Sequence, residues 1–124
     1  KMPRELRRLS EPQIINYLIT ITFLDKRTKV DIKVTGTDNV LVSLEMNFRK
    51  GGKLSGVIKD KNRSDSYFLK EGYGAYTKDG SVINFGPGKI EHQWGTMRGM
   101  DEKPYGNTVY INGHTPFKHT LEIY

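Results

Sequence analysis

Val40-Leu41-Val42-Ser43-Leu44-Glu45-Met46-Asn47-Phe48 carries an apolar side chain at Val40, Val42, Leu44, Met46 and Phe48, a strict period of two over nine residues. Successive side chains of a strand point to opposite faces, so this spacing predicts a β-strand with one face in a core. An amphipathic helix would repeat every 3.6 residues instead. Working towards the N-terminus, Val30, Ile32 and Val34 alternate with Asp31 and Lys33. Before them, Ile19, Ile21 and Phe23 alternate with Thr20 and Thr22, which predicts a half-buried strand over residues 18–24.

Working towards the C-terminus, glycines punctuate further alternating segments. Gly51-Gly52 can supply the positive φ values of a tight hairpin and predicts that residues 54–58 return antiparallel to the 40–48 strand. Residues 59–66 hold five charged side chains and no apolar one, which predicts an exposed loop. Asp79-Gly80 is a type I′ signal joining strands over residues 67–77 and 81–85, and Gly86-Pro87-Gly88 interrupts the ladder. A short strand is expected at residues 90–94, a long connection at 95–107, a strand at 108–111 ending in an Asn112-Gly113 turn, and a last strand at 117–124.

Only Ser10-Glu11-Pro12-Gln13 reads as a helix start, with a capping serine, an early proline and a glutamine three residues on. The expected fold is therefore all-β, an antiparallel β-sandwich of jelly-roll type with a short N-terminal helical turn. Residues 1–17 form a basic segment and residues 18–124 a single sandwich domain. A length of 124 residues leaves no room for two cores.

Composition narrows function mainly by exclusion. No apolar run reaches the roughly 18 residues of a membrane-spanning helix. The chain has no cysteine, which removes disulfides, thiolate metal sites and thiol nucleophiles. No phosphate-cradling glycine loop or Gly-x-Ser-x-Gly elbow occurs. A formal charge of +6 favours a polyanionic partner. Nucleic acid is a poor fit, because basic and aromatic residues do not interleave on one strand face. No cofactor and no metal site is expected from three histidines at unrelated spacings.

Ile90-Glu91-His92-Gln93-Trp94 is the most unusual segment. A tryptophan can stack on the apolar face of a sugar ring while His92 and Gln93 hydrogen-bond hydroxyls, and Arg98 can pair with a carboxylate or sulfate. His114, beside a predicted turn, joins this ligand-binding set. His119 shares parity with Phe117, Leu121 and Ile123 and reads as structural. A lyase would need a base, for which His92 and Tyr110 are the candidates, with no catalytic residue assigned.

The motifs 48-FRKGGKL-54, 67-YFLKEG-72, 85-FGPG-88 and 110-YINGHTPF-117 occur in an order that resembles the β-rich C-terminal domain of secreted bacterial polysaccharide-processing proteins, the heparinase-like lyases. That resemblance implies a non-catalytic carbohydrate-associated module, beside a helical catalytic domain upstream, that binds acidic polysaccharide outside the cytoplasm, in a secreted or periplasmic setting. A start at Lys1-Met2 fits a piece of such a protein. Two alternatives stand beside it: a polysaccharide lyase using His or Tyr, and a lipocalin-like binder of small apolar ligands, which His92-Gln93-Trp94 also resembles.

Overall fold

The structure, a computed structural model, describes residues 14–61, 63–89 and 106–124. Their regular structure is all β, arranged in two sheets as expected of a sandwich. The strands are β1 (Ile15–Leu24), β2 (Arg27–Gly36), β3 (Leu41–Arg49), β4 (Lys53–Ser55), β5 (Ile58–Lys59), β6 (Ser66–Phe68), β7 (Gly74–Lys78), β8 (Ser81–Gly86), β9 (Gly106–His114) and β10 (Phe117–Ile123). One sheet has the order β1-β2-β10-β8-β7-β4 and the other β3-β9-β6-β5. The expected helical turn at Ser10–Gln13 and the strand at 90–94 lie outside the described residues.

The period-two strands fold as their patterns dictate. Val42, Leu44, Met46 and Phe48 of β3 and Val109 and Ile111 of β9 face the core. They meet Ile32, Val34, Phe85, Phe117 and Leu121 of the larger sheet. Phe48, half-buried, packs against this core with ring centroids 4.9 Å from Tyr76 and 5.0 Å from Phe85. Asp79 and Gly80 have φ of 52° and 82°, the pair of positive values a type I′ hairpin needs.

Several expectations fail, and each fails where the chain changes sheet. Gly51-Gly52 does not close a hairpin, because β3 belongs to the four-stranded sheet while β4 pairs with β7 in the other. Gly52 is needed there for space: a Cβ would lie 2.3 Å from the Tyr76 ring, whose hydroxyl donates to the Arg49 carbonyl. Residues 67–77 are not one strand but β6 and β7 in different sheets, separated by Gly72 at φ 61°. Asn112-Gly113 lies inside β9, and the corner falls at Thr115-Pro116 instead. β9 already begins at Gly106, inside the expected connection.

Two burial expectations also fail. The 59–66 segment starts within β5 and is not wholly exposed, since Asp60 and Ser66 are buried. The Asp60 N–H donates to the Ser66 carbonyl at 2.8 Å and the Thr108 N–H to the Asp65 carbonyl at 2.9 Å, which ties the loop to the sheet. β1 begins at Ile15, three residues before the expected start, and is not half-buried: Ile19 is 57% and Phe23 82% exposed. The larger sheet is two strands wider than its partner, and β1 is at its edge.

Thr115 fixes the place where the chain leaves β9 for β10. Its N–H donates to the Val40 carbonyl at 2.8 Å, and its hydroxyl accepts from the Val40 N–H at 2.8 Å while donating to the Thr37 carbonyl. Replacing the hydroxyl by a methyl takes away the partner of the half-buried Val40 N–H, which costs about 1–3 kcal/mol. Thr115→Val is therefore expected to lower the unfolding free energy from urea titration by that amount while Thr115→Ser keeps most of the stability. Equal stability of all three proteins would remove Thr115 from this role.

Candidate ligand-binding face

On the outer face of the six-stranded sheet, strand parity brings six side chains from distant parts of the chain together. The register aligns Leu18 with Lys33 and Lys33 with Lys118, and in the next row Thr20 with Asp31 and Asp31 with Thr120. These six, with Ile32 and His119, line an open cleft of about 300 Å³.

The charges in this cleft are unevenly matched. The Thr120 hydroxyl donates to Asp31 Oδ1 at 2.6 Å, and farther along the same face Arg27 pairs with Glu122. Lys33 and Lys118 are exposed, directly opposite each other, and among the described residues neither has a carboxylate at ion-pair distance. Like charges placed directly across a sheet destabilise it. An anion bridging the two ammonium groups would relieve that repulsion. Thr20 and Thr120 add hydroxyls and Leu18 an apolar wall, so the cleft combines charge, hydrogen-bonding groups and aliphatic surface.

The outer face of the other sheet carries the described candidates from the sequence. Tyr110 and His114 share parity on β9, four residues apart, and stand opposite Glu45 and Leu41 of β3. Polar rows continue along this face, where the Ser43 hydroxyl donates to Asn112 Oδ1 at 2.6 Å and the Thr108 hydroxyl to Asn47 Oδ1 at 2.7 Å. Tyr110 is 1% exposed and packs on Phe68. Its hydroxyl and Arg63 Nη1 are buried with no hydrogen-bond partner.

Burial pushes the Tyr110 ionisation above its ordinary value of 10.0, and the carboxylate of Glu45 adds to the shift. The hydroxyls of Thr108 and Ser66, close to the phenol oxygen but outside good hydrogen-bond geometry, and the charge of Arg63 oppose it and offset only part. The phenol is therefore protonated at neutral pH, which is the wrong direction for a proton-abstracting base.

His92, Gln93, Trp94 and Arg98 lie outside the described residues. Tyr110 and His114 are brought to one face, but it belongs to the sheet opposite the cleft. His119 faces the core, with Nε2 2.6 Å from the Pro87 carbonyl oxygen, in keeping with a structural role. Lys33 and Lys118 were not legible as a pair: 85 residues separate them, and only the β2–β10 register makes them neighbours. Among the described residues no three His, Asp or Glu side chains converge as a metal site, and no helix is long and apolar enough to cross a membrane.

Comparison with known protein families, curated proteins and solved structures finds no match.

The folded state holds the Tyr110 proton more tightly than the unfolded chain. Its contribution to stability is thus complete below pH 10.0 and declines as pH rises beyond that value. Tyr110→Phe is expected to be neutral or stabilising by about 1 kcal/mol near neutrality, since it deletes a buried hydroxyl without a partner. It should also flatten the alkaline loss of stability in denaturation curves collected on either side of pH 10; an unchanged alkaline slope would count against this assignment.

Proposed function

We propose that this chain is a non-catalytic carbohydrate-associated module, a sandwich of the jelly-roll kind, that binds acidic polysaccharide as part of a larger polysaccharide-degrading protein in a secreted or periplasmic setting. The observation that carries the reading is the Lys33–Lys118 pair, set opposite each other in an open cleft beside Thr20, Thr120 and Leu18. Two ammonium groups suit a carboxylate or sulfate, and hydroxyls beside an aliphatic wall suit the ring that bears it. A cleft open along a sheet face also leaves a polymer free to run past it.

In this reading Trp94 stacks on a sugar ring, His92 and Gln93 hydrogen-bond its hydroxyls, and Arg98 pairs with an acidic group of the polymer, while His114, on the opposite sheet, drops out of the site. The lyase alternative is weakened by the direction of the Tyr110 shift. The lipocalin-like alternative is weakened by two separate sheets where a closed circuit of strands would be needed.

Trp94 is the only tryptophan, so its emission reports ligand without labelling. Titration with a heparin-type oligosaccharide is expected to change that emission or release heat in calorimetry. The affinity should fall steeply with salt, because exposed charge pairs are screened beyond about 10 Å at 0.1 M. Lys33→Gln and Lys118→Gln should each weaken binding about tenfold, the equivalent of one charge-assisted hydrogen bond. Each should also raise stability by a few tenths of a kcal/mol by ending the cross-strand repulsion. No binding of any acidic oligosaccharide at low salt would sink the proposal, and binding untouched by both substitutions would move the site off the cleft.

A further inference from the structure

β1 is a ten-residue edge strand, Ile15–Leu24, whose only partner among the described residues is β2. Edge strands are ordinarily blunted by charge, proline, a bulge or brevity. β1 has none of these. Its sequence INYLITITFL contains no charged residue and no proline, and its register with β2 runs unbroken from Ile15↔Gly36 to Leu24↔Arg27. Tyr17, Leu18, Ile19, Ile21, Phe23 and Leu24 are each at least half exposed. They occupy both faces of the strand, Leu18 and Leu24 on the cleft side and Tyr17, Ile19, Ile21 and Phe23 on the side that faces the core layer.

The direction of the free hydrogen-bonding groups follows from the hairpin. The two-residue turn Asp25-Lys26 pairs Leu24 with Arg27, and at the other end the Thr37 N–H donates to the Ile14 carbonyl at 2.8 Å. Both contacts make even-numbered residues of β1 the ones that bond to β2. The N–H and C=O groups of the odd-numbered residues therefore point to the free edge. Those same residues, Tyr17, Ile19, Ile21 and Phe23, read aromatic, isoleucine, isoleucine, aromatic, a pattern symmetric about Thr20.

The geometry points to a second copy of this chain as the occupant of that edge, with β1 pairing antiparallel to its own twin about a two-fold axis at Thr20. An axis perpendicular to the sheet keeps each face continuous and sets Tyr17 opposite Phe23 and Ile19 opposite Ile21, each twice. The absence of charge on β1 means that no like-charged side chains of this strand meet across the axis. Each copy carries +6 overall, so raising the salt concentration should strengthen the pairing by screening the repulsion between copies. Pairing at this edge does not require the cleft to bind a polysaccharide, although Leu18 and Thr20 of β1 also line that cleft.

Sedimentation velocity of the full chain is expected to show a concentration-dependent species of twice 14.2 kDa. Ile19→Lys and Ile19→Glu should each be monomeric alone and should form a heterodimer when mixed, because positions 19 of the two copies lie within reach of long side chains on the diagonal. Both should keep the wild-type circular dichroism, since Ile19 is more than half exposed.

A cysteine-free chain allows an independent test of the register. Thr20 would face its twin in a non-hydrogen-bonded pair with Cα atoms about 4.5 Å apart, within disulfide range. Thr22 would face Leu18 and lie roughly 13 Å from its own twin. Mild oxidation should therefore convert Thr20→Cys to a covalent dimer and leave Thr22→Cys uncrosslinked. A wild type that stays monomeric up to millimolar concentration, a dimer that survives Ile19→Lys, or crosslinking of Thr22→Cys in preference to Thr20→Cys would each overturn the inference.

Discussion

The hydrogen bonds of Thr115 are the constraint on which the two-sheet arrangement depends. β9 belongs to the four-stranded sheet and β10 to the six-stranded one, so the chain must leave one layer for the other between His114 and Phe117. β2 and β3 make the same change of layer between Gly36 and Leu41. Thr115 bonds to Thr37, Asn39 and Val40 and so joins the two crossings side by side. With that corner closed, β9 pairs with β3 over nine residues and β10 with β2 over seven. The core then forms between Val109 and Ile111 on one side and Phe85 and Leu121 on the other.

Unequal sheet widths govern the outer surface. The six-stranded layer extends beyond the four-stranded one, so β1 has a patterned apolar face with little core to meet. The same extension makes β1, β2 and β10 a three-strand platform whose outward side chains line the cleft. An apolar edge and a basic cleft thus share one hairpin, with the odd-numbered residues of β1 on the core side and Leu18 and Thr20 on the cleft side.

The strands that carry the core were legible because their information is local. Alternation along residues 40–48 and 30–34 specified β3 and β2, and the Asp79-Gly80 pair specified its turn through the positive φ values those residues tolerate. Expectations failed where a local signal had two physical meanings. Gly51-Gly52 contains a positive φ at Gly51, but Gly52 is there to admit the Tyr76 ring. Asn112-Gly113 has turn chemistry yet lies in β9, where the Asn112 side chain is engaged by Ser43 across the ladder.

The sequence by itself determined the all-β class, the two-fold periodicity of the strands that build the core and the absence of cysteine chemistry, because each is a property of neighbouring residues or of composition. Only the tertiary structure decided that Lys33 meets Lys118, that Tyr110 is buried beside Glu45, and that β1 has an edge to offer. The first two depend on pairings between residues 85 and 65 positions apart in the chain and the third on where the β1–β2 hairpin falls in the sheet, and the energy that selects such an arrangement comes from the whole core, not from any segment.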